Sequence, residues 1–246
     1  MGVRLEAAVR THPGLVRTSN EDAALATPRL VAVADGVGGH AAGEVASRIA
    51  IDALAGLEKR RITGSLAEEL AAAVGEGNAR VGFTAQARPQ LAGMATTVTA
   101  VAADDGLLVA SVGDSRAYLL RGGRLEQLTR DDSLVQELVD GGHLTPEQAR
   151  EHPQRSVVTA ALDGRSGLEP AVGHYDARPG DRVLLCSDGL SDLVDAETIA
   201  GTLQVADREE AADALVRLAL EAGGRDNVTV VIADVADDPE GSAAWG

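Results

Sequence analysis

The stretch that decides the fold runs from residue 97 to residue 128 and reads TVTAVAADDGLLVASVGDSRAYLLRGGRLEQL. It contains short apolar runs of the length of β-strands, at 97–102, 107–112, 117–121 and 124–128. Asp104-Asp105-Gly106 and Gly122-Gly123 lie between such runs and are typical of tight hairpin turns. Because strands joined by two- or three-residue turns must be antiparallel, the stretch predicts an antiparallel sheet.

Outside this stretch, helical patterns come in pairs and do not alternate with strands. The predicted helices lie at 43–57, 66–87, 196–203 and 208–222. Further strands are predicted at 3–9, 30–34, 168–175, 182–186 and 227–235. Paired helices beside antiparallel strands indicate an α+β fold, in which helices cover the sheets, and not a doubly wound parallel fold.

The 246 residues suit one domain, which we expect to cover residues 1–236. A more polar segment within it, 131–165, carries short helical patterns, one at 133–140 and another that begins with Thr145 as N-cap and Pro146 in the first turn. Residues 237–246 are polar and rich in Gly and Ala, and we expect a flexible tail there.

Charge and composition exclude several classes of function. The formal net charge of −16 argues against a nucleic-acid partner, because phosphate backbones bind basic patches. Cys186 is the only cysteine, so a disulfide framework and a cysteine zinc site are both excluded. The chain has neither a membrane-spanning apolar run nor the layout of a signal peptide, and we expect it in the cytoplasm.

Five acidic clusters share one sequence context, in which a short apolar run ends and an Asp beside a Gly, Ser or Asn follows. They are Asn20-Glu21-Asp22, Asp35-Gly36, Gly113-Asp114-Ser115, Ser187-Asp188-Gly189 and Asp226-Asn227. Each alone is ordinary turn chemistry. Strand ends on one edge of a layered sheet can converge, however, and converged carboxylates repel one another unless cations neutralise them. Oxygen ligands without His or Cys favour Mg²⁺ or Mn²⁺ over zinc.

The order of these motifs closely resembles that of the protein phosphatase 2C (PPM) family, and most of all its bacterial members that oppose Ser/Thr protein kinases. The resemblance covers residues 3–235. It rests on Arg17-x-x-Asn20-Glu21-Asp22, Asp35-Gly36-x-Gly38-Gly39-His40, Met94-Ala95-Thr96-Thr97, Gly113-Asp114-Ser115-Arg116, Ser187-Asp188-Gly189 and Asp226-Asn227. It implies a four-layer α-β-β-α sandwich, with two central antiparallel sheets flanked by helices and with 131–165 as a flap beside the active site.

The resemblance also implies a set of metal ligands. Asp35 would bridge two metals, the Gly36 carbonyl would bind one of them, and Asp188 and Asp226 would bind the other. Asp114, together with Asp188, would hold a weaker third metal.

Three more residues receive roles from the same resemblance. Glu21 and Asp22 would hydrogen-bond metal-bound water, and Arg17 would hold the substrate phosphate through its guanidinium fork.

The predicted activity is that of a metal-dependent serine/threonine phosphoprotein phosphatase with two to three Mn²⁺ or Mg²⁺ ions. Two cations about 3.5–4 Å apart would activate a water that attacks the phosphomonoester. The expected partners are Ser/Thr-phosphorylated proteins, including a protein kinase. We expect a monomer, which could also be the cytoplasmic domain of a longer membrane-anchored protein.

Three positions depart from the common family pattern. Val37 replaces a His or Met, so leaving-group protonation would need another group, with His40 and His152 as candidates. Ala95 replaces a frequent Gly, and Ala160 replaces a frequent Arg that contacts substrate.

Two rival functions remain at this stage. One is a phosphatase acting on a phosphorylated regulator such as an anti-sigma-factor antagonist. The other is a non-catalytic phosphoprotein-binding module, which predicts the loss of a metal ligand, whereas all the implied ligands are present here.

Overall fold

The computed structural model describes residues 2–38, 41–62, 64–239 and 245. The strands, in chain order, are β1 (Val3–His12), β2 (Ala23–Ala26), β3 (Leu30–Ala34), β4 (Gly36–Val37), β5 (Ala95–Thr96), β6 (Val98–Ala103), β7 (Leu107–Val112), β8 (Arg116–Arg121), β9 (Arg124–Gln127), β10 (Ala171–Tyr175), β11 (Arg182–Cys186) and β12 (Val228–Asp237). The helices are α1 (Ala41–Leu57), α2 (Leu66–Ala87), α3 (Leu134–Asp140), α4 (Pro146–Glu151), α5 (Asp188–Ser191), α6 (Ala196–Thr202) and α7 (Arg208–Glu221), with a 3₁₀ turn at Pro89–Leu91.

Two five-stranded sheets form the centre of the fold. The first has the order β1-β12-β11-β8-β9 and the second the order β10-β7-β6-β3-β2, while β4 and β5 form a two-residue ladder of their own. Every ladder between named strands of the described residues is antiparallel. The longest pairing joins β1 to β12, from Val3 opposite Asp237 to His12 opposite Val228.

The central strands are apolar along their whole length because both of their faces are buried. In β11, Val183 and Leu185 lie in the core between the two sheets, whereas Leu184 faces the core beneath α6 and α7. This follows from the two-residue period of a strand, which sends successive side chains to opposite faces. In the second sheet, Ala32 likewise packs toward α1 and α2 while Val33 packs between the sheets.

The predicted α+β class and the four-layer α-β-β-α sandwich are confirmed. Strand β1 is longer than its predicted range of 3–9, because its ladder with β12 continues to His12. Strand β2 was not predicted. It is four residues long and lies at the edge of the second sheet, paired only with β3.

The segment 131–165 contains two short helices, as its pattern predicts. Ser133 caps α3 by accepting a hydrogen bond from the Gln136 amide, and Thr145 and Gln148 form a capping box at the start of α4. Short helices depend on such caps, since few of their backbone groups are satisfied internally.

Part of the predicted tail, at 240–244 and 246, lies outside the described residues, so the flexibility of 237–246 stays a prediction, as does the domain extent of 1–236. Trp245 is described. Its Nε1 donates to the Ala103 carbonyl at 2.7 Å, and the Arg29 guanidinium lies 4.8 Å from its ring centre. In the described part of the chain, no helix combines the length and the apolar character needed to cross a membrane.

Candidate functional site

Asp35 follows β3 directly and is held by the strand that returns beside it. Its amide donates to Thr97 Oγ1 at 3.0 Å, and its carbonyl accepts from the Thr97 amide at 2.8 Å. Thr97 Oγ1 also lies 2.7 Å from Ser115 Oγ, next to Asp114. The ends of three strands are therefore linked, which brings the Asp35 and Asp114 segments to one edge of the sandwich.

The segments that carry Glu21 and Asp35 touch backbone to backbone, which only glycine permits. A Cβ on Gly36 would lie 2.2 Å from the Gly43 carbonyl oxygen and 2.6 Å from that of Glu21. A Cβ on Gly43 would lie 2.0 Å from Glu21 Oε2. These glycines allow the start of α1 to approach both acidic segments. The sequence lacks the glycine spacing of a dinucleotide-binding motif, and the close backbone contact explains these glycines without one.

Asp188 and Asp226 come together through a second contact of this kind. Asp188 opens α5 after β11, and Asp226 comes just before β12. A Cβ on Gly189 would lie 1.9 Å from the Asn227 carbonyl oxygen, so the two segments pack against each other at their closest possible distance.

Asp22 joins the same cluster through Ser187. The Ser187 hydroxyl donates to Asp22 Oδ2 at 2.8 Å and accepts from the Thr229 amide at 3.0 Å. Asp22 also lies near enough to Asp35 for its negative charge to raise the pKa of the Asp35 carboxyl group. The structure therefore places Asp22 between the two halves of the predicted metal site.

The aspartates of this cluster act on one another electrostatically. Burial, followed by repulsion from Asp22, Asp188, Asp114 and Asp226, raises the pKa of Asp35 well above its ordinary value. The pKa of Asp188 is raised in the same way, by burial first and then by Asp114 and further neighbours.

The two flanking carboxyl groups titrate at higher pH than usual. Burial is the largest cause that raises the pKa of Asp22 to about 6, against hydrogen bonds from Thr229 and Ser187 that lower it. Burial and then repulsion from Asp131 raise the pKa of Asp114 to about 6. Such a cluster is stable in its charged form only with a compensating positive charge.

Two atoms of the cluster show that the residues fit a cation. Asp22 Oδ1 and Asp188 Oδ1 are buried and have no hydrogen-bond partner in the described part of the chain, which is costly for a carboxylate oxygen unless a cation takes the partner's place. All side chains here offer oxygen, the donor that Mg²⁺ and Mn²⁺ prefer. In the described ranges, no three His, Cys, Asp or Glu side chains are arranged closely enough to bind a metal ion together. The fit to a cation therefore rests on these two unpartnered oxygens and on the negative charge of the cluster.

Arg17 lies at the rim of the cluster. Its Nη2 donates to Asp226 Oδ2 at 2.6 Å, and this hydrogen bond is the largest cause that raises the pKa of Arg17. The arginine that the resemblance assigns to the substrate phosphate is thus paired with an assigned metal ligand. Its side chain is 57% exposed, so it remains within reach of a bound phosphate.

Asn227 holds the Arg17 loop in place and was not singled out from the sequence. Its Oδ1 accepts from the Glu21 amide at 2.8 Å, and its Nδ2 donates to the carbonyls of Pro13 and Ser19 at 3.0 and 2.8 Å. Its place beside Asp226 in the motif was the only signal available. Its partners lie more than 200 positions away in the chain, and a sequence pattern does not reveal such contacts.

The segment that carries Asp114 is tied to the start of 131–165. The Gly113 amide donates to Asp132 Oδ2, and the Asp132 amide donates to the Gly113 carbonyl, both at 2.9 Å. Between 131–165 and the first sheet lies a cleft of about 520 Å³, with Asp114 and Asp188 in its wall. Segment 131–165 is thus placed beside the cluster, where the resemblance puts the flap.

The three departures from the family pattern lie in different environments. Val37 is 51% exposed, Ala95 lies in β5, and Ala160 packs against the core beneath α1 and α2. His152 Nδ1 accepts from the Gln154 amide at 3.1 Å within its own turn. Gly39 and His40 lie outside the described residues.

Comparison with known proteins supports the resemblance to the protein phosphatase 2C family along most of the chain. The family profile described as protein phosphatase 2C matches residues 17–220. The serine/threonine protein phosphatase PstP of Mycobacterium tuberculosis is 52% identical over 234 residues, which are 95% of this chain and 45% of that protein. The serine/threonine phosphatase stp of Listeria welshimeri is 36% identical over 94% of this chain and 96% of its own length. This chain thus spans somewhat less than half of the mycobacterial relative.

Solved structures show the same similarity in three dimensions. The crystal structure of the M. tuberculosis phosphatase PstP/Ppp matches with a TM-score of 0.91 at 51% identity, over 95% of this chain and 100% of that one. The catalytic domain of PstP in complex with two manganese ions matches with a TM-score of 0.89 at 50% identity, over 96% and 100%. With the profile, the relatives and the folds in agreement, the resemblance seen in the motifs is confirmed, and the chain belongs to the protein phosphatase 2C family.

Proposed function

We propose that this chain is a metal-dependent serine/threonine phosphoprotein phosphatase that uses two to three Mn²⁺ or Mg²⁺ ions. One observation carries the proposal: aspartates from separate strand ends raise one another's pKa, and two of their buried oxygens have no partner. The relatives are serine/threonine phosphatases, which supports the substrate class, and the two manganese ions of the PstP complex support the metal.

The proposed ligands are the residues that the motifs assign. Asp35 would bridge two cations, with the Gly36 carbonyl on one and Asp188 and Asp226 on the other. The position of Asp35 supports this role, since it is the residue on which the other four aspartates act. Asp114 would hold a third cation with Asp188, and the repulsion between those two carboxylates supports the pairing.

The other proposed roles concern water and substrate. Glu21 and Asp22 would hydrogen-bond the water of the site, and the unpartnered Oδ1 of Asp22 supports this. Arg17 would turn from Asp226 to the substrate phosphate, because its planar fork matches two phosphate oxygens at once.

Hydrolysis would take place in one displacement. The cations, when bound, supply the positive charge that activates water and offsets charge on the phosphoryl group. Water adds to phosphorus as the Ser or Thr oxygen leaves, and the products are inorganic phosphate and the free hydroxyl. A phosphocysteine intermediate does not fit, because Cys186 is fully buried and burial raises the pKa of its thiol to about 12.

In the cell, we propose a monomer that acts in the cytoplasm on proteins phosphorylated by Ser/Thr kinases, including such a kinase itself, either alone or as the cytoplasmic domain of a longer membrane-anchored protein. A non-catalytic phosphoprotein-binding module is less well supported, because Asp35, Asp188 and Asp226 are all present and lie together.

The test is phosphate release from a phosphothreonine peptide by purified, metal-free protein, before and after addition of Mn²⁺ or Mg²⁺ and again with excess chelator. We expect turnover only with free cation present. The Asp35→Asn variant, purified in parallel, reports any contaminating phosphatase. A protein that binds Mn²⁺ but releases no phosphate would overturn the proposal in favour of the binding module.

A further inference from the structure

The cleft beside the aspartate cluster continues well beyond the residues that the reaction needs. Asp114 and Asp188 line it together with residues of β8, β9, α3 and α4 and with the residues after α5. Its volume of about 520 Å³ lies within the range of roughly 300–1,000 Å³ that is common for ligand sites. The walls carry apolar side chains, among them Val135, Val139 and Leu193. A substrate segment bound at the cluster can therefore extend toward α4.

Four of the eight charged side chains that line the cleft form ion pairs with one another. Arg116 donates through Nε and Nη2 to the carboxylate of Asp131, with its shortest contact at 2.6 Å. Arg155 Nε lies 3.5 Å from Asp192 Oδ2. These pairs neutralise two positive and two negative side chains of the cleft lining.

Asp195, which also lines the cleft, is already a hydrogen-bond acceptor. It caps α6 by accepting from the Thr198 amide at 2.9 Å and from the Thr198 hydroxyl at 3.0 Å. A carboxylate that accepts two hydrogen bonds is a weaker attractor for a cationic side chain of a substrate.

Arg150, in the last turn of α4, is different. It lines the cleft, and its side chain has neither a hydrogen bond nor an ion pair with any residue that the structure describes. Glu147, three residues earlier on the same helix, has its pKa lowered first by hydrogen bonds from its own backbone amide and from Thr145. The charge of Arg150 lowers that pKa by less than either hydrogen bond. In a chain with 38 acidic and 22 basic residues, an exposed arginine that lines a cleft and pairs with none of the described side chains is available to an anion.

We infer that Arg150 forms a subsite for an anionic group of the phosphoprotein substrate, at a fixed distance along the chain from the phosphorylated residue. The inference rests on the proposed function, which places the phosphorylated residue at Asp35 and Asp188. The anionic group is a carboxylate side chain or a second phosphate, since a guanidinium fork binds either. Arg150 is thus a residue that determines specificity and takes no part in the displacement.

The test is a set of phosphothreonine peptides in which each flanking position in turn carries Glu, Gln or Lys, with kcat/KM measured for each. For the unmodified protein we expect Glu to exceed Gln by roughly two- to fivefold at one or two positions, the range of a partly exposed charge pair, and Lys to fall below Gln. The readout is the Glu/Gln ratio within each variant, which cancels any general change in activity.

Arg150→Gln should bring that ratio to about one, and Arg150→Lys should keep part of it. Arg61→Gln, which removes the same charge from an exposed position after α1, should keep the full ratio. A non-hydrolysable phosphonate in place of Glu separates the two sources, since a gain with phosphonate alone identifies a second phosphate.

A ratio of one in the unmodified protein, or a ratio that Arg150→Gln leaves unchanged, would overturn the subsite. Hydrolysis of para-nitrophenyl phosphate by the unmodified protein distinguishes failure of the subsite from failure of the proposed function. If that small substrate or any of the peptides is hydrolysed and no preference exists, only the subsite fails; if neither is hydrolysed with Mn²⁺ present, the proposed function fails and the subsite fails with it.

Discussion

At the scale of single residues, the site brings together buried carboxylates whose negative charges repel one another. Asp35 is buried among four other aspartates, and its pKa is raised well above the ordinary range because burial and like charges both penalise the carboxylate. A residue that is costly for the fold in this way is retained for what the charge binds. Substitution at Asp35 should therefore separate activity from stability.

Asp35→Asn should lower phosphatase turnover by roughly a hundredfold or more, because it removes charge from the centre of the cation site. The metal-free variant should melt at the same temperature as the unmodified protein or higher, since repulsion is relieved. Each kcal/mol of relief corresponds to about 2–4 °C in a chain of this size. Turnover and metal-free Tm are the measurements.

Asp52→Asn is the matched control, because Asp52 is exposed on α1 and away from the cluster. It should leave turnover unchanged. Near-normal turnover in Asp35→Asn would contradict the role of Asp35.

Arg17 is paired with Asp226 but is proposed to bind phosphate. Arg17→Lys keeps a positive charge and loses the fork, so kcat/KM for a phosphopeptide should fall by roughly tenfold, and further in Arg17→Ala. The Mn²⁺ concentration that gives half-maximal activity should change little. If the metal requirement shifts instead and KM does not, Arg17 acts by holding Asp226 and not by binding substrate.

At the scale of elements, the aspartates meet because turns with glycine let strand ends approach without side chains between them. Gly189 sets the contact of α5 with the start of β12, and Asn227 joins that start to the loop of Arg17. Neither residue is proposed to touch a cation or substrate. Both hold in place the residues that are proposed to bind the cations or the substrate.

Gly189→Ala tests this control of approach. Its Cβ would lie 1.9 Å from the Asn227 carbonyl oxygen, so the two segments must move apart. We expect a loss of about 1–3 kcal/mol in the free energy of unfolding, together with reduced turnover. Urea denaturation and phosphate release are the measurements.

Gly75→Ala is the control, because a Cβ at Gly75 in α2 would have nothing within 4 Å. It should gain about 0.5–1 kcal/mol, since alanine costs less backbone entropy in a helix. If Gly189→Ala is as stable and active as the unmodified protein, close contact at this position does not matter for the site.

At the scale of the whole molecule, the sandwich supplies the stability that the charged edge lacks. Three apolar layers hold the two sheets and their helices together, and the cluster lies at one end of them. Stability should therefore depend on pH and on cations through the cluster. As pH rises, the stability of the metal-free protein should fall, whereas the stabilisation by cations should grow.

Without cations, the free energy of unfolding should fall as pH rises from 5 to 7. The pKa values of Asp22 and Asp114 are about 6 in the fold against an ordinary 3.8, so the folded state binds more protons between these values and loses that stabilisation as pH rises through 6. With saturating Mn²⁺, the stabilisation by metal should instead grow over the same range, because ligands bind cations when deprotonated.

Melting curves of metal-free and Mn²⁺-loaded protein at pH 5, 6 and 7 measure both slopes. Asp114→Asn should reduce the slope of the metal-free protein. A metal-free Tm that is flat or rises over this range would contradict the charge balance described above.

The sequence by itself determined the local structure and the chemistry of the site. The bounds of α2, β3, β7 and β11 were predicted to the residue, because they depend on apolar periodicity and on turn residues a few positions away. The motifs indicated the family and the class of metal, and they are the source of the proposed oxygen ligands. The edge strand β2 and the short α5 were missed, since four residues carry little periodicity.

Only the tertiary structure decided which of these residues meet. The pairing of Arg17 with Asp226, the bond from Ser187 to Asp22 and the hold of Asn227 on Glu21 each join positions more than 160 residues apart. The cleft that Arg150 lines, where it pairs with no described side chain, forms only where 131–165 lies against the first sheet. Local propensity acts over a few residues, whereas these contacts depend on how two sheets stack and which strand ends share an edge, and that is fixed by burial of the core as a whole.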